Sequence, residues 1–160
     1  MRWAALGLGP VLAFDIETAY PDSVARRGKS GPKAEHWLGA TRPTGSLPIV
    51  LFVPSRDRDG RDIDHDYWVT NALETLGVLF RGATAYPRAR GVWRDDDRGG
   101  ELHHEEPTIV TCYADPAALT DTARSRLRAF LHRLGRETKQ GEVGIIIGDK
   151  YYGITEYDSE

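Results

Sequence analysis

The chain has 160 residues, and its 21 lysine and arginine residues stand against 24 aspartate and glutamate residues, which gives a formal net charge of −3. This balance provides no overall attraction to nucleic acid or to an anionic membrane, so we expect no membrane association and do not favour nucleic acid as a partner. The single cysteine, Cys112, excludes an internal disulfide and suits a cytoplasmic protein.

The N-terminal part of the chain is rich in proline and glycine and shows one probable element of regular structure. The apolar run Val11–Ile16 predicts a strand, and the residues around it are polar and rich in turn-forming side chains. We therefore expect residues 1–46 to form an arm and residues 47–160 to form the folded domain.

The arm also contains the segment "FDIET", in which Asp15 and Glu17 are separated by one residue of a predicted strand. This segment resembles the first motif of the DnaQ-like 3′–5′ exonucleases, whose two metal ions are held by clustered carboxylates. The further acidic motifs of that family have no clear match. A metal-dependent phosphodiester hydrolase is therefore kept as an alternative function.

The domain opens with a strand pattern followed by a helix pattern. The run "PIVLFV" (48–53) is unbroken and apolar, which predicts a strand buried on both faces. Residues 65–80 have apolar side chains at helical spacing, and Asp64 or Asp66 is available as the N-cap. The apolar positions of this helix are Trp68, Val69, Ala72, Leu73, Leu76 and Phe80.

Two further strands are predicted to follow this helix. Residues 84–94 predict one of them, with Pro87 favouring an edge position or a bulge. The segment "DDDRGGEL" (95–102) predicts a hairpin loop, and "TIVTCYA" (108–114) predicts an interior strand that buries its thiol.

A second helix and a C-terminal hairpin complete the pattern. Asp115 and Pro116 are typical of a helix start, and the apolar spacing predicts a helix over 117–134, with a possible continuation to Lys139 left open. Its apolar positions are Leu119, Ala123, Leu127, Phe130, Leu131 and Leu134. The runs "EVGIII" and "KYYGI" flank Gly148–Asp149, which suits a tight turn between two strands.

The order of elements is β-α-β-β-α-β with an added C-terminal hairpin strand, so we expect an α+β fold of the ferredoxin-like, split βαβ type. The helices of such a fold cover one face of an antiparallel sheet. Because the strands are apolar without alternation, the other face should also be covered. We expect a homodimer through the sheet or the N-terminal arm across it, with a partner protein of a larger assembly as the third alternative.

The segment "RETKQGE" (136–142) is unusually polar for a link between a helix and a strand. It can be an ordinary helix end, capped at Gly135 or Gly141, with Arg136 and Lys139 at the negative end of the helix dipole. It can also form a polar ligand site where the end of the second helix meets the strand at 84–94. The expected ligand-binding residues are Arg90, Trp93, His132, Arg136, Glu137 and Glu142.

Three other motifs are better interpreted as structural. Residues 55–66 match a calcium loop only in part, and a strand-to-helix loop is the preferred interpretation. The "HHEE" motif (103–106) offers metal-binding side chains, but neighbouring strand residues point to opposite faces. The run "LFVPSR" (51–56) loosely matches one RNA-recognition motif, whose companion motif has no counterpart.

The segments "GATAYPRARGVWRD" (82–95) and "GRETKQGEV" (135–143) resemble small bacterial proteins of the ferredoxin-like or dimeric α+β-barrel kind. The resemblance implies a fold and no activity. We therefore expect a cytoplasmic binding or regulatory module, homodimeric, without a cofactor or metal. The alternatives are the hydrolase using Asp15 and Glu17, a cofactor-free catalyst using His132 and Glu137, and an accessory subunit.

Overall fold

The computed structural model describes residues 34–41, 44–95 and 99–159. The chain divides into two compact units between residues 41 and 42. In the first unit, the described residues form one short helix, α1, at Ala34–Leu38. The predicted strand Val11–Ile16 and the exonuclease-like segment within it lie outside the described residues.

The second unit contains two helices and seven strands among its described residues. Their bounds are β1 Leu47–Val53, α2 His65–Phe80, β2 Thr84–Ala85, β3 Gly91–Asp95, β4 Glu101–Glu105, β5 Thr108–Ala114, α3 Asp121–Glu137, β6 Val143–Ile147 and β7 Lys150–Ile154. Five strands form an antiparallel sheet in the order β2-β5-β1-β6-β7, and β3 pairs with β4 in a separate two-stranded sheet. The predicted α+β class is confirmed. No described helix has the length and apolar character needed to cross a membrane.

The hydrophobic core lies between the two helices and one face of the sheet. On the central strand β1, Ile49, Leu51 and Val53 are fully buried and pack in one cluster with side chains of α2 and α3. The intervening residues Val50 and Phe52 are only half-buried. Burial therefore alternates along β1, as it does in a sheet that is covered on one side. Among the described residues of this chain, β1 is not buried on both faces as predicted.

Helix α2 follows its predicted pattern closely. The residues it buries include Trp68, Ala72 and Leu76, which lie on one face at helical spacing. Asp64 is the N-cap, and its carboxylate accepts a hydrogen bond from the Tyr67 backbone amide at 3.1 Å. The helix ends at Arg81, whose φ of 74° places it in the left-handed region.

Helix α3 begins later than predicted, at Asp121, and its end at Glu137 lies between the two predicted ends, 134 and 139. Residues 116–118 form a separate 3₁₀ turn, and the Thr120 side chain caps α3 by accepting from the Ala123 amide at 3.2 Å. At the other end, Gly135 lies inside the helix instead of ending it, and the left-handed residue is Lys139, with φ of 50°. Neither glycine proposed as the cap therefore serves as one.

The strand predicted over 84–94 is split in two. Between β2 and β3 the chain is joined to the start of β5 and to the residue before it by isolated hydrogen bonds. The Tyr86 amide donates to the Ile109 carbonyl at 2.9 Å, and the Ala89 amide donates to the Pro107 carbonyl at 2.8 Å. Pro87 has no amide hydrogen to donate, which explains the interruption. Beyond it, β3 and β4 form a two-stranded extension that we call the β3–β4 ribbon (residues 91–95 and 101–105).

The sheet face opposite the helices is only partly covered by the described residues. Cross-strand pairs such as Phe52 with Ile109 and Ile146 with Tyr151 place apolar side chains next to one another on this face. Tyr113 and Tyr151 are 67% and 56% exposed. We call this surface the open face; its residues are Pro48, Val50, Phe52, Ile109, Tyr113, Ile146 and Tyr151.

Cys112 lies on the core face of β5, as the sequence predicted. Only 4% of the residue is exposed. Burial raises the pKa of its thiol to about 11, because the charged thiolate is disfavoured away from water. The thiol is therefore a packing group, since the reactive form of cysteine is the thiolate.

Candidate functional site

A shallow depression of about 550 Å³ lies at the C-terminal end of α3. Three parts of the chain form it: the loop after β1, the last turn of α3 and the segment that follows β7. Its lining residues are Arg58, Asp59, Gly135, Arg136, Lys139, Gln140 and Tyr157. The depression therefore adjoins part of the polar segment 136–142, whereas no residue of the strand predicted at 84–94 lines it.

The loop after β1 is fixed to the end of α3 by two hydrogen bonds. The Arg58 amide donates to the Lys139 carbonyl at 3.2 Å, and the Gln140 side-chain amide donates to the Arg56 carbonyl at 2.8 Å. These bonds hold the backbone of two walls of the depression in register, so the loop itself needs little further ordering to bind a ligand.

The same loop is organised internally by Asp57. One of its carboxylate oxygens accepts hydrogen bonds from the backbone amides of Asp59 and Arg61 at 2.9 and 2.8 Å. The bond from Arg61 is the largest of the influences that lower the pKa of Asp57. Asp57 is one of the residues in the partial match to a calcium loop, and its carboxylate bonds to the backbone of its own loop. Among the described residues there is no group of three or more potential metal ligands.

The carbonyl groups at the end of α3 are already satisfied within the chain. The Leu134 carbonyl accepts from both the amide and the hydroxyl of Thr138, at 3.1 and 2.6 Å, and the Gly135 carbonyl accepts from the Gln140 amide at 2.9 Å. The side chains of Arg58 and Lys139 form no ion pair with another described residue. Neither is therefore needed to cap the helix or to neutralise a neighbour.

The third wall is the segment after β7, which α3 binds through Asp158. The Asp158 carboxylate accepts two hydrogen bonds from Arg128, at 2.7 and 3.0 Å, and its carbonyl accepts one from Arg136 at 2.7 Å. Its amide donates to Nδ1 of His132 at 2.8 Å. In a neutral imidazole this bond leaves the ring proton on Nε2.

Tyr157 fills the space that Gly135 leaves open. A Cβ atom on Gly135 would overlap the Tyr157 ring, and the ring also makes an edge contact with His132 at a centroid distance of 6.2 Å. The Tyr157 hydroxyl is buried without a hydrogen-bond partner among the described residues. Burial, with a smaller effect from Glu142, raises its pKa to about 12.

Two of the six predicted ligand-binding residues are brought together here. His132 and Arg136 both bind Asp158, and His132 is buried, with only 4% of the residue exposed. Glu137 is exposed at the last position of α3. Glu142 is exposed and accepts a hydrogen bond from the Tyr151 hydroxyl at 2.5 Å.

The other two predicted residues belong to a different part of the unit. Trp93 is on the β3–β4 ribbon and stacks on His103, with ring centroids 4.9 Å apart and an angle of 20° between the planes. Arg90 is exposed just before the ribbon begins. Arg58 and Tyr157, which line the depression, were not predicted from the sequence. For Tyr157 a signal was present, because Gly135 lies inside a helical pattern and a tyrosine follows shortly after the last predicted strand.

No family model matches the sequence, and no curated protein matches it. The fold is similar to that of a phage SAM lyase. The likeness to its complex with S-methyl-5′-thioadenosine has a TM-score of 0.55 at 19% sequence identity and covers 71% of this chain and 92% of that chain. The apo structure matches with a TM-score of 0.49 at 20% identity, over 72% of this chain and 94% of that chain. At such identity the likeness concerns the fold alone.

Acid should release the segment around Asp158 from α3. The hydrogen bonds from Arg128 lower the pKa of Asp158, and the nearby charges of Arg128, His132 and Arg136 act in the same direction. A depressed carboxyl pKa means that the stabilisation is complete above the ordinary value of 3.8 and is lost as the pH falls through the lower, folded-state value.

The side-chain carboxyl carbon resonance of Asp158, followed by NMR from about pH 6 to about pH 2, should titrate with a midpoint below the ordinary value of 3.8. In the Asp158→Asn variant the corresponding side-chain resonance should show no such transition. A midpoint at or above 3.8 in the wild type would contradict the hydrogen bonds assigned to this carboxylate.

Proposed function

We propose that this protein is a small-molecule-binding module of the cytoplasm, that it works as a homodimer, and that it binds an anionic ligand in the depression at the end of α3. One observation carries the proposal. Arg58, Arg136 and Lys139 line the depression, and Arg58 and Lys139 form no ion pair with another described residue, whereas the one acidic lining residue, Asp59, already pairs with Arg61 at 2.7 Å. The excess of positive charge favours a phosphate or carboxylate group.

The chemistry of the cations supports this choice of ligand. Arginine presents a planar fork of donors that matches a phosphate or carboxylate, and lysine adds a mobile point charge. The end of α3 acts in the opposite direction, because the helix dipole disfavours an anion there by about 0.3–1 kcal/mol. Hydrogen bonds to charged groups contribute about 1.5–3 kcal/mol each, so two or three of them outweigh the dipole.

The order of elements supports a ferredoxin-like assignment of the fold. The sheet order β2-β5-β1-β6, with α2 after β1 and α3 after β5, corresponds to the split βαβ arrangement, and β7 is then an added edge strand. We also propose that residues 1–46 form an arm to a domain of residues 47–160. The partly covered open face supports the homodimer.

A second candidate ligand is a nucleoside thioether. It is favoured by the fold likeness to a phage SAM lyase in complex with S-methyl-5′-thioadenosine, which extends over 92% of that chain. This compound is uncharged, so its binding would not depend on the three cations in the way that an anion would. The hydrolase alternative, based on Asp15 and Glu17, predicts cleavage of single-stranded DNA with manganese that Asp15→Ala abolishes.

Isothermal titration calorimetry with adenosine 5′-monophosphate, inorganic pyrophosphate and S-methyl-5′-thioadenosine separates the two ligands. We expect an anionic probe to bind, and Lys139→Ala or Arg58→Ala to weaken binding by about tenfold or more, since each removes a charged hydrogen bond. Lys150→Ala is the matched control, because Lys150 is an exposed lysine outside the lining of the depression.

The outcomes of this titration are distinct. Anion binding that is weakened by the two lining variants and not by the control supports the proposal. Equal weakening by all three variants would assign the effect to general charge and contradict the site. Binding of the uncharged probe alone, unchanged in every variant, would favour the second candidate.

A further inference from the structure

The segment that follows β7, residues 155–159, lies along α3 and is called the strap below. Its Asp158 carboxylate accepts hydrogen bonds from Arg128 at 2.7 and 3.0 Å, and its carbonyl accepts one from Arg136 at 2.7 Å. The Asp158 amide donates to Nδ1 of His132 at 2.8 Å. These bonds join the strap to side chains of a helix and not to a neighbouring strand. The strap can therefore leave α3 without unpairing the sheet.

The bonds that hold the strap lie at the surface of the protein. The side chains of Arg128 and Asp158 are 61% and 53% exposed. An ion pair with this exposure contributes little stability, and segments held by solvent-exposed hydrogen bonds open more readily than the core does. The Tyr157 ring acts in the other direction, because it packs against the core beside Gly135. Docking of the strap is therefore favourable but easily reversed.

Two residues take part both in docking the strap and in lining the depression. Tyr157 belongs to the strap and forms one wall of the depression. Arg136 lines the depression as well, and its guanidinium donates to the Asp158 carbonyl. A guanidinium carries several N–H donors in a fixed fork, so it can serve more than one acceptor. Docking thus fixes an arginine and an aromatic wall before a ligand arrives, which reduces the entropy lost on binding.

We infer that docking of the strap on α3 and binding of an anion in the depression are coupled, with Asp158 as the positioning residue. The inference rests on the proposed anion site and concerns its regulation. An anion that contacts Arg136 and Tyr157 binds the docked state more tightly and shifts the strap towards it. The coupling is reciprocal, so release of the strap weakens the binding of the anion. Asp158 itself is not among the lining residues of the depression.

Charge reversal at Asp158 tests the coupling by isothermal titration calorimetry with inorganic pyrophosphate and adenosine 5′-monophosphate. Asp158→Lys sets a cation against Arg128 and Arg136, which should release the strap. If the docked fraction falls to about a fifth, the affinity for the anion falls about fivefold. Glu156→Lys is the matched control, because Glu156 is exposed on the other side of Tyr157, outside the lining, and the change in charge is the same.

The two variants separate positioning from general electrostatics by the sign of the effect. Each adds positive charge near the depression, so general attraction alone would strengthen anion binding in both. We expect binding about fivefold weaker in Asp158→Lys and unchanged or tighter in Glu156→Lys. Circular dichroism checks that both variants are folded.

Amide hydrogen exchange of the wild type gives a second result that needs no variant. The Asp158 amide exchanges when its bond to His132 opens, so its exchange reports release of the strap. With free pyrophosphate at about ten times its Kd, a ligand that binds only the docked state should slow this exchange about tenfold. The Gly148 amide, which donates to the Pro48 carbonyl at 2.8 Å, is the control for stabilisation of the whole fold.

Slower exchange at Asp158 but not at Gly148, together with weaker binding in Asp158→Lys alone, supports the coupling. Equal affinities in the two variants overturn it, and so does unchanged Asp158 exchange when the depression is saturated; both results leave the proposed anion site intact. A wild type that binds neither anion overturns the proposed site and the coupling together. If Asp158→Lys does not fold, the exchange measurement decides alone.

Discussion

Replacing Gly135 with alanine should destabilise the protein, whereas the same change at Gly77 should stabilise it. Both glycines lie within helices, where alanine is preferred over glycine by about 1 kcal/mol. Nothing lies within 4 Å of a Cβ atom placed on Gly77, so that gain should be realised in full. A Cβ atom on Gly135 would instead overlap the ring of Tyr157.

The tyrosine ring has little freedom to move away. Its neighbour Asp158 is bound by Arg128, His132 and Arg136, so a shift of the ring strains or breaks those hydrogen bonds. Overpacking of a fitted site costs about 1–3 kcal/mol, and loss of the bonds adds to it. We expect a net loss of about 2 kcal/mol for Gly135→Ala, after the helix gain is subtracted.

Urea unfolding of the two variants measures the difference between them. Because the helix preference is common to both, a gap of about 3 kcal/mol reports the overlap alone. Equal stabilisation by both substitutions would show that Tyr157 does not pack on Gly135. The Gly135→Ala variant should also bind the anionic probe more weakly, since Tyr157 is one wall of the depression.

Removing the imidazole of His65 should cause the second large loss of stability. His65 is 6% exposed at the start of α2, and its Nδ1 lies 2.8 Å from the Pro54 carbonyl. Its Nε2 lies 2.8 Å from the Thr108 hydroxyl. Since a carbonyl can only accept, Nδ1 must carry a proton, and in a neutral imidazole the Thr108 hydroxyl then donates to Nε2.

His65→Ala would leave two buried polar groups without partners and open a cavity. Each unsatisfied group costs about 1–3 kcal/mol, so we expect a total loss of about 3 kcal/mol. His104→Ala, which removes an exposed imidazole from the ribbon, should change stability by no more than about 0.5 kcal/mol. Urea unfolding measures both variants.

A double-mutant cycle with Thr108→Val isolates the bond between the two side chains. The double variant should be less destabilised than the sum of the single variants, because the same hydrogen bond is lost in each. Strict additivity would indicate that the His65 ring and the Thr108 hydroxyl do not interact in solution.

Much of the fold was predictable because periodic apolar residues report burial directly. Most of the predicted stripes along α2 and α3 are buried, with Val69 and Leu73 only partly so, and β1, β5, β6 and β7 lie where their apolar runs placed them. The misjudged features depend on contacts between distant residues. Gly135 looked like a helix end because the sequence does not show that Tyr157 packs against it.

The candidate site was only partly predictable for a related reason. The polar segment 136–142 does mark the end of α3, but sequence spacing does not show which side chains bind the chain itself. His132 and Arg136 are engaged with Asp158, and Glu142 pairs with Tyr151. Arg58 comes from a loop far away in sequence, and hydrogen bonds from its amide to Lys139 and from Gln140 to the Arg56 carbonyl hold that loop at the depression.

The position of β1 in the middle of the sheet has a consequence for how the chain folds during synthesis. Leu51 pairs with Val110 on one side and with Ile145 on the other. The central strand β1 is therefore synthesised before both of its neighbours in the sheet. The second neighbour, β6, is complete only after residues 143–147 have been made. Such long-range pairing is slow, and until it forms an edge of β1 is available to other nascent chains.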